Sequence, residues 1–245
     1  MGINTIFFDL GYTLMYYDAP WPDSFISAGK ALLDVLRPEI NTTLDEKVIL
    51  DSLLQKIQEY PDPHDDHRQK TSLEVLKTVL IESSLPIVPE TILRDGLRAM
   101  FAEAETHWQP EDDSLPVLTE LHDRGYRLAV VSNAMDDDNV QRLVDKCGIR
   151  HLLQTVISSA AFGFAKPNPG IFRFALEQCA SRPEETLMVG DSLEFDVAGA
   201  HTLGMRSIWI TRRVHKWEEK LAGAAVQPDA VVATLDEVVA VVREW

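Results

Sequence analysis

The amino-acid sequence predicts an α/β protein, in which a doubly wound parallel sheet carries an inserted all-helical domain. Strand-like and helix-like segments alternate through the second half of the chain, which is the pattern of a parallel sheet covered by helices. One more strand-like run stands near the start. The residues between that run and the second half show only helical periodicity.

The first strand is predicted at residues 5–8, a β-branched and aromatic run that stops at Asp9 and Gly11. After Pro110 the pattern predicts helices at 115–124, 138–147, 170–179 and 195–203, and strands at 127–132, 155–158, 186–189 and 206–210. Open α/β sheets bind ligands outside the carboxyl ends of their strands. Polar residues that follow these strands are therefore the first candidates for a functional site.

The region from about residue 25 to residue 107 repeats apolar residues at helical spacing, for example at Leu32, Val35 and Leu36. Prolines at 38, 61, 63, 86 and 89 interrupt the pattern, so we expect about four helices joined by proline-bearing loops. We place the core domain at residues 1–15 and 110–245, and the helical domain at residues 16–109.

The composition is acidic, with 39 Asp and Glu against 23 Lys and Arg and a formal net charge of -16 over 245 residues. Such a charge repels nucleic acid and anionic membranes, and it attracts divalent cations. We therefore expect no nucleic-acid partner. No apolar run approaches the roughly 18 residues needed to span a bilayer, and no signal-like segment begins the chain, so a cytoplasmic protein is expected.

The only two cysteines, Cys147 and Cys179, stand in helix-like stretches without a CxxC spacing. This usage favours reduced, packed thiols over a disulfide framework or a zinc site.

Four short polar motifs follow predicted strands in order along the chain. They are Asp9-Leu10-Gly11-Tyr12-Thr13, Val131-Ser132-Asn133, Lys166-Pro167-Asn168-Pro169, and Gly190-Asp191 with Asp196 shortly after. Their order and spacing resemble the four motifs of the haloacid dehalogenase (HAD) superfamily of hydrolases, over nearly the whole chain. The resemblance implies a Rossmann-like core with a helical, C1-type cap.

The resemblance makes Asp9 the expected nucleophile, which attacks the phosphorus of a phosphate ester. A carboxylate can do this by forming an acyl-phosphate, which divides the hydrolysis into two easier steps. If Asp9 and Asp191 both point into the site, they would repel one another unless a hard cation lay between them, and Mg²⁺ is the natural occupant. The resemblance assigns the protein ligands as the Asp9 side chain, the backbone carbonyl of Gly11 and the Asp191 side chain. Asp196 would support these ligands from behind.

The remaining motif residues are expected to bind the phosphate. The Ser132 hydroxyl and the amides that follow it could donate to phosphate oxygens, and Asn133 could fix that loop, although a turn-capping Ser-Asn pair looks the same. Two prolines hold the chain around Lys166 extended and could aim its ammonium at the anionic centre, although most lysines are simply solvated. The resemblance gives Thr13 a hydrogen bond that shapes the nucleophile loop.

One position departs from the family pattern. In the family phosphatases a second aspartate, two residues after the nucleophile, protonates the leaving group, and here that residue is Gly11. General acid catalysis is typically worth ~100- to ~10,000-fold in rate. We therefore expect a slow Mg²⁺-dependent hydrolase of small phosphomonoesters that works through an aspartyl-phosphate. Tyr12 is either a substitute hydroxyl or a lining residue.

Two alternatives remain open. A 2-haloacid dehalogenase needs no acid for its halide leaving group, but those enzymes place a tyrosine where Gly11 stands, and Tyr12 comes one residue late. A catalytically weak, metal-binding HAD protein is the second alternative. Phosphonate cleavage through a lysine of the cap is disfavoured, because no cap lysine stands out.

Two clusters lie in or near the predicted cap. His64 and His67 flank acidic residues, which suggests either a metal site or a solvated connector between helices. Tyr16, Tyr17 and Trp21 follow the nucleophile loop and either line the entrance or pack at a hinge.

Overall fold

Six parallel strands form the main sheet of the protein, whose structure is a computed structural model that describes residues 2–20, 22–40, 45–58 and 66–245. In chain order the strands are β1 (Thr5–Phe8), β2 (Met15–Tyr17), β3 (Trp108–Pro110), β4 (Arg127–Ser132), β5 (Leu153–Ser158), β6 (Thr186–Gly190), β7 (Arg206–Ile210) and β8 (Ala230–Val232). The main sheet has the order β5-β4-β1-β6-β7-β8 with every pairing parallel, and β2 pairs separately with β3. The predicted doubly wound parallel sheet is confirmed.

The chain divides into two compact units, one formed by Met1–Tyr17 with Gln109–Trp245 and the other by Asp18–Trp108. The helices of the second unit are α1 (Asp23–Leu36), α2 (Glu46–Gln58), α3 (Ser72–Glu82) and α4 (Glu90–Glu105). Those of the first unit are α5 (Ser114–Asp123), α6 (Asp137–Cys147), α7 (Ser159–Phe162), α8 (Pro169–Gln178), α9 (Gly199–His201), α10 (Trp217–Ala222) and α11 (Leu235–Glu244).

Strand β1 is the centre of the main sheet because it is apolar on both faces. Ile6, Phe7 and Phe8 are all fully buried, as expected for a strand covered by helices on both sides. Phe8, its last residue, pairs with Val130 of β4 and with Val189 of β6. The residue after Phe8 therefore leaves the sheet between the carboxyl ends of two neighbouring strands.

Helix α8 covers part of one face of this sheet. Its residues Ile171 and Phe172 pack in one buried cluster with Phe7 of β1 and Met188 of β6. Close packing also depends on Gly199, since a Cβ there would lie 2.6 Å from Cε2 of Phe172. The cluster fixes α8, and with it the loop that precedes this helix.

The second unit is helical, as the spacing of its apolar residues predicts. Its helices α1 and α4 pack together closely because Gly96 has no side chain: a Cβ there would lie 2.7 Å from Cδ1 of Leu32. Helix α3 begins with a capping box, in which Thr71 and Glu74 each accept a backbone N–H of the other. The four helices found in the described part of this unit match the predicted number.

Some elements differ from the prediction. The helix expected at 195–203 is a wide π-helical turn at Leu193–Ala198 that leads into the short helix α9. Strands β2, β3 and β8 have three residues each, too few to show a period. Helix α11 was missed despite a clear helical spacing of buried residues at Leu235, Val238, Val239 and Val242.

Both cysteines are buried free thiols, as predicted, and burial raises the pKa of each to about 11. None of the helices found within the described ranges combines the length and apolarity that crossing a membrane requires.

Candidate active site

Three of the predicted site residues meet at the carboxyl edge of the main sheet because their strands are neighbours. Asp9 follows the central strand β1, Ser132 ends β4, and Asp191 follows β6. The backbone N–H of Asp9 donates to the carbonyl of Val189 at 2.9 Å, which continues the sheet pairing into the loop. Asp9 therefore stands between the other two motifs.

Lys166 reaches this edge from the loop before α8. Its side chain is almost fully buried, with 1% of the residue exposed, and its Nζ donates to Oδ1 of Asp9 at 2.7 Å and to Oδ1 of Asp196 at 2.6 Å. A buried ammonium with two carboxylate partners is well satisfied. Lys166 is thus no solvated surface lysine, and it holds two of the predicted site carboxylates together.

The backbone of Lys166 is fixed by the side chain of Asn133. Nδ2 of Asn133 donates to the Lys166 carbonyl at 3.0 Å, while Oδ1 of Asn133 accepts the Lys166 N–H at 2.7 Å. This pair of bonds ties the loop after β4 to the lysine loop, as expected for a residue that fixes the site. Substrate binding by Asn133 stays a prediction.

The carboxylates of Asp9, Asp191 and Asp196 form an acidic cluster, with one oxygen from each lying within 4.8 Å of the others. Burial raises the pKa of Asp9 to about 6, against the lowering effect of Lys166, and Asp196 raises it further. Burial raises the pKa of Asp191 to about 7, and the charges of Asp9 and Asp196 add to the effect. Burial alone would lower the pKa of Lys166, but Asp196 and Asp9 raise it above its usual value.

This donor set suits a divalent cation, whose charge would offset both the burial and the mutual repulsion that raise the two aspartate pKa values. Asp196 is the least available of the three, because Oδ1 binds Lys166 and Oδ2 accepts the N–H of Ser192 at 3.0 Å. Asp9 and Asp191 are the better ligands. Gly190 makes room for Asp196, since a Cβ at residue 190 would lie 2.2 Å from its Oδ2.

The nucleophile loop folds tightly back on itself after Asp9. The amides of Leu14 and Met15 both donate to the carbonyl of Leu10, at 2.9 and 3.0 Å. Tyr12 sits in the left-handed region with φ 60 and keeps 44% of its surface exposed. Burial, and then the charge of Asp191, raises the pKa of the Tyr12 hydroxyl.

Thr13 is fully buried in this loop. Its Oγ1 has no hydrogen-bond partner among the residues that the structure describes, so the hydrogen bond expected from the family resemblance is not present. A buried hydroxyl without a partner is unfavourable and is typical of strained or functional positions. A contact of Thr13 with substrate stays a prediction.

Ser132 is buried at the end of β4, with 5% of its surface exposed. The loop that follows it is held by Ser159, whose Oγ accepts the N–H of Ala134 at 2.9 Å and donates to the carbonyl of the same residue at 3.1 Å. The loop amides after Ser132 are therefore fixed in position. Their binding of phosphate stays a prediction.

Sequence reasoning missed Trp209, which lies in β7 opposite Gly190 of β6. Its Nε1 donates to the backbone carbonyl of Asp191 at 2.7 Å. The available signal was a tryptophan between two isoleucines in a predicted strand, because a buried indole N–H requires an acceptor.

The other candidates are only partly described. Tyr16 is the middle residue of β2, and the guanidinium of Arg213, which binds Glu111, packs 4.0 Å from the centroid of its ring. Trp21 and His64 lie outside the described residues. His67 is in the left-handed region, and its Nδ1 is buried without a partner among the residues with assigned positions.

The family of haloacid dehalogenase-like hydrolases matches residues 3–204, and the chain belongs to this family. The curated glyceraldehyde 3-phosphate phosphatase of Methanopyrus kandleri is 26% identical over 246 residues, covering 99% of this chain and 98% of that protein. The phosphoserine phosphatase of Thermus thermophilus is 34% identical over 146 residues, 59% of this chain and 55% of that protein.

Solved structures agree on the fold. A 2-haloacid dehalogenase from Pseudomonas syringae pv. Tomato DC3000 superimposes with a TM-score of 0.73 at 23% identity, covering 99% of both chains. A HAD phosphatase from Thermococcus onnurineus gives a TM-score of 0.65 at 22% identity, covering 98% of this chain and 97% of that one. At these identities the two likenesses establish the architecture alone.

Proposed function

We propose that this chain is a Mg²⁺-dependent phosphatase that hydrolyses small phosphomonoesters through an aspartyl-phosphate formed on Asp9. The observation that carries the proposal is the arrangement of Asp9 at the central strand end, bound to the buried Lys166 and grouped with Asp191 and Asp196. Two curated relatives are named as phosphatases of small phosphate esters, which supports the same reaction class.

Asp9 is suited to attack phosphorus. Its Oδ1 is bound to Lys166, and Oδ2 is the oxygen assigned to the attack. With a pKa of about 6, its carboxylate is mostly ionised at neutral pH. A phosphate ester brings more negative charge to this edge, so the protein must supply compensating positive charge.

The Mg²⁺ ligands would be the Asp9 side chain, the Gly11 carbonyl and the Asp191 side chain. When bound, the ion supplies positive charge that offsets the phosphate and the two carboxylates. Lys166 is the second source of positive charge and already touches the nucleophile. Asp196 holds the ammonium of Lys166 from the other side, and Asn133 fixes its backbone.

The reaction then proceeds in two displacements. Oδ2 of Asp9 attacks phosphorus and the ester oxygen leaves with the bonding electron pair, while Ser132 and Lys166 bind the phosphoryl oxygens. Water next attacks the aspartyl-phosphate, which releases inorganic phosphate and restores the carboxylate. Because Gly11 provides no acid, the leaving oxygen takes its proton from solvent, and turnover of poor leaving groups is slow.

The test is phosphate release from a panel of small phosphate esters, including glyceraldehyde 3-phosphate and an aryl phosphate, with Mg²⁺ and with EDTA. We expect release that needs Mg²⁺, that disappears in Asp9→Asn, and that persists in Asp51→Asn, a matched change at an exposed aspartate of α2. No release from any ester in the presence of Mg²⁺, or full activity in Asp9→Asn, would contradict the proposal.

A 2-haloacid dehalogenase is the alternative that Gly11 favours, since a halide needs no acid to leave. Chloride release from 2-chloropropionate in the same assay decides between the two. Release of chloride without release of phosphate would replace the phosphatase proposal. Binding of Mg²⁺ without either product would identify a catalytically weak metal-binding member of the family.

A further inference from the structure

Trp209 is a buried residue that hydrogen-bonds to the backbone of Asp191, one member of the acidic cluster. It is the next-to-last residue of β7, is 1% exposed, and pairs in the sheet with Gly190, the residue just before Asp191. Its indole N–H donates to the Asp191 carbonyl at 2.7 Å. A fully buried indole needs such an acceptor, and here the acceptor belongs to a proposed metal ligand.

The rest of the Asp191 loop is held from the opposite direction. Oδ2 of Asp196 accepts the N–H of Ser192 at 3.0 Å, and Oγ of Ser192 accepts the N–H of Phe195 at 3.1 Å. The peptide unit between Asp191 and Ser192 is therefore bound on both sides, its carbonyl by Trp209 and its N–H by Asp196. Two hydrogen bonds on one peptide unit fix its plane, which restricts the backbone of Asp191 and so the directions open to its side chain.

This restraint matters most before a cation binds. Asp191 stands next to Asp9 and Asp196, and like charges at this distance push its loop away from the cluster. Without a restraint, part of the cation's binding free energy would go into bringing Asp191 back. Ligand groups that are held in place in advance bind more tightly, because less ordering accompanies binding.

We propose that Trp209 is a positioning residue that holds Asp191 ready for a divalent cation through its indole N–H. The inference rests on the metal site of the proposed function. A purely structural role would require only the size and apolarity of the ring. The two roles separate in a variant that keeps the ring and removes the N–H.

The experiment compares Trp209→Phe with Trp217→Phe, a matched change in α10 that removes an indole elsewhere in the same unit. The Mg²⁺ dissociation constant is measured by calorimetry on each full-length protein after removal of metal. We expect Trp209→Phe to bind Mg²⁺ about 10- to 100-fold more weakly, the range typical of lost outer partners of metal ligands, and Trp217→Phe to match the parent. A folded Trp209→Phe protein with the affinity of the parent would overturn the proposal.

Two further measurements keep the test decisive. If Trp209→Phe does not fold, β-(3-benzothienyl)alanine at residue 209 keeps the shape of the indole and replaces the N–H by sulfur, and it must show the same weakened binding. In activity assays the Mg²⁺ concentration for half-maximal rate should rise while kcat at saturating Mg²⁺ stays near that of the parent. A lowered kcat with unchanged Mg²⁺ dependence would instead indicate general damage.

The outcome is distinct from that of the proposed function. Weakened Mg²⁺ binding in a protein that hydrolyses no phosphate ester would support the role of Trp209 while the phosphatase proposal fails. A parent protein that binds no divalent cation would overturn the role of Trp209 together with the metal site.

Discussion

Two ion pairs of this protein have the same length and opposite surroundings. Lys166 lies 2.6 Å from Asp196 with both side chains 2% exposed, whereas Lys77 lies 2.6 Å from Glu90 with side chains 43% and 48% exposed. The exposed glutamate behaves as electrostatics in water suggests: hydrogen bonds from Lys77 and Arg94 lower its pKa. In the buried cluster, the pKa of Asp9 rises despite its ion pair with Lys166.

Burial, more than the number of charges, separates the two regions. Lys77 of the exposed pair borders a cavity of about 370 Å³, whose lining includes four cationic side chains, of Lys56, Arg68, Lys70 and Lys77. Three of these four are paired with glutamates. Water screens such pairs, so they contribute little to stability. At the carboxyl edge of the main sheet, the lysine and the carboxylates are removed from water. The carboxylates there repel one another more strongly, and a bound cation would relieve that repulsion.

The largest effect is expected from removing the cation of each pair. Lys166→Met leaves Asp9 and Asp196 buried without their partner, which typically destabilises a protein by about 3–5 kcal/mol. Lys77→Met should leave the free energy of unfolding almost unchanged. Urea denaturation of both variants at pH 8 in metal-free buffer makes the comparison, and equal losses would mean that burial does not distinguish the pairs.

Removing one carboxylate from each region compares the buried cluster with the exposed pair by their effect on Mg²⁺ binding. Asp191→Ala should raise the Mg²⁺ concentration for half-maximal activity by more than ~100-fold, because deleting a ligand should exceed the effect of deleting a partner of a ligand. Glu90→Ala serves as the exposed control and should have no effect. A Mg²⁺ titration of Asp191→Ala that overlays the parent would assign the metal to other residues.

Placing an aspartate at residue 11 should restore the general acid that the family phosphatases have there. The parent is expected to prefer aryl phosphates strongly over alkyl phosphates, since aryl leaving groups need little protonation. Gly11→Asp should raise kcat/KM for alkyl esters by up to ~100-fold and change aryl esters far less. Gly223→Asp, where a Cβ meets no atom closer than 3.6 Å, is the control.

Rates for a series of leaving groups make this measurement. A parent enzyme that cleaves alkyl and aryl phosphates equally well, with chemistry limiting the rate, would mean that another group already serves as the acid.

The smallest expected effect is on the pH dependence of stability, to which the buried cluster and the exposed pair contribute with opposite signs. The pKa values of Asp9 and Asp191 rise to about 6 and about 7, above the value of about 3.9 for an unfolded aspartate, so the folded, metal-free protein binds more protons between these limits. Their contribution to stability is therefore lost as pH rises from about 4 to about 7. The lowered pKa of Glu90 contributes stability that is lost as pH falls.

Thermal denaturation between pH 5 and pH 8 in EDTA measures this dependence. Asp191→Asn should reduce the fall in melting temperature above pH 5, whereas Glu90→Gln should leave that fall unchanged. Mg²⁺ should stabilise the protein more at pH 8 than at pH 5, because protons compete with the ion for the same carboxylates. A metal-free melting temperature that rises through this range would contradict the shifts at Asp9 and Asp191.

Much of the sheet was predictable because strands buried on both faces carry an unbroken apolar signal. Strands β4 and β7 begin and end at the predicted residues. Asp9 and Asp191 were predictable as neighbours, since strand ends in a parallel sheet share one edge, and the resemblance to the family added Lys166 and Asp196 to the group. Three-residue strands and the π-helical turn at Leu193–Ala198 have no period to detect.

The contacts that organise the site were beyond the sequence because they join distant segments. The bonds between Asn133 and Lys166 span 33 residues, and the bond from Trp209 to Asp191 spans 18. Partner choice of this kind depends on which strands are neighbours, which no local pattern contains. The missing hydrogen bond of Thr13 was equally hidden, since only the packed loop shows that its hydroxyl has no partner within the described part of the chain.

Gly190 shows how a site can constrain a residue that contributes no functional group. Its backbone is not in the left-handed region, so conformation alone would admit alanine. A Cβ there, however, would lie 2.2 Å from Oδ2 and 2.3 Å from Cγ of Asp196. In saturation mutagenesis, substitutions of Gly190 should therefore be as damaging as substitutions of Asp9. Judged by that damage alone, Gly190 would be mistaken for a catalytic residue. The sequence thus has to specify an empty Cβ position at residue 190, because the carboxylate of Asp196 fills that space.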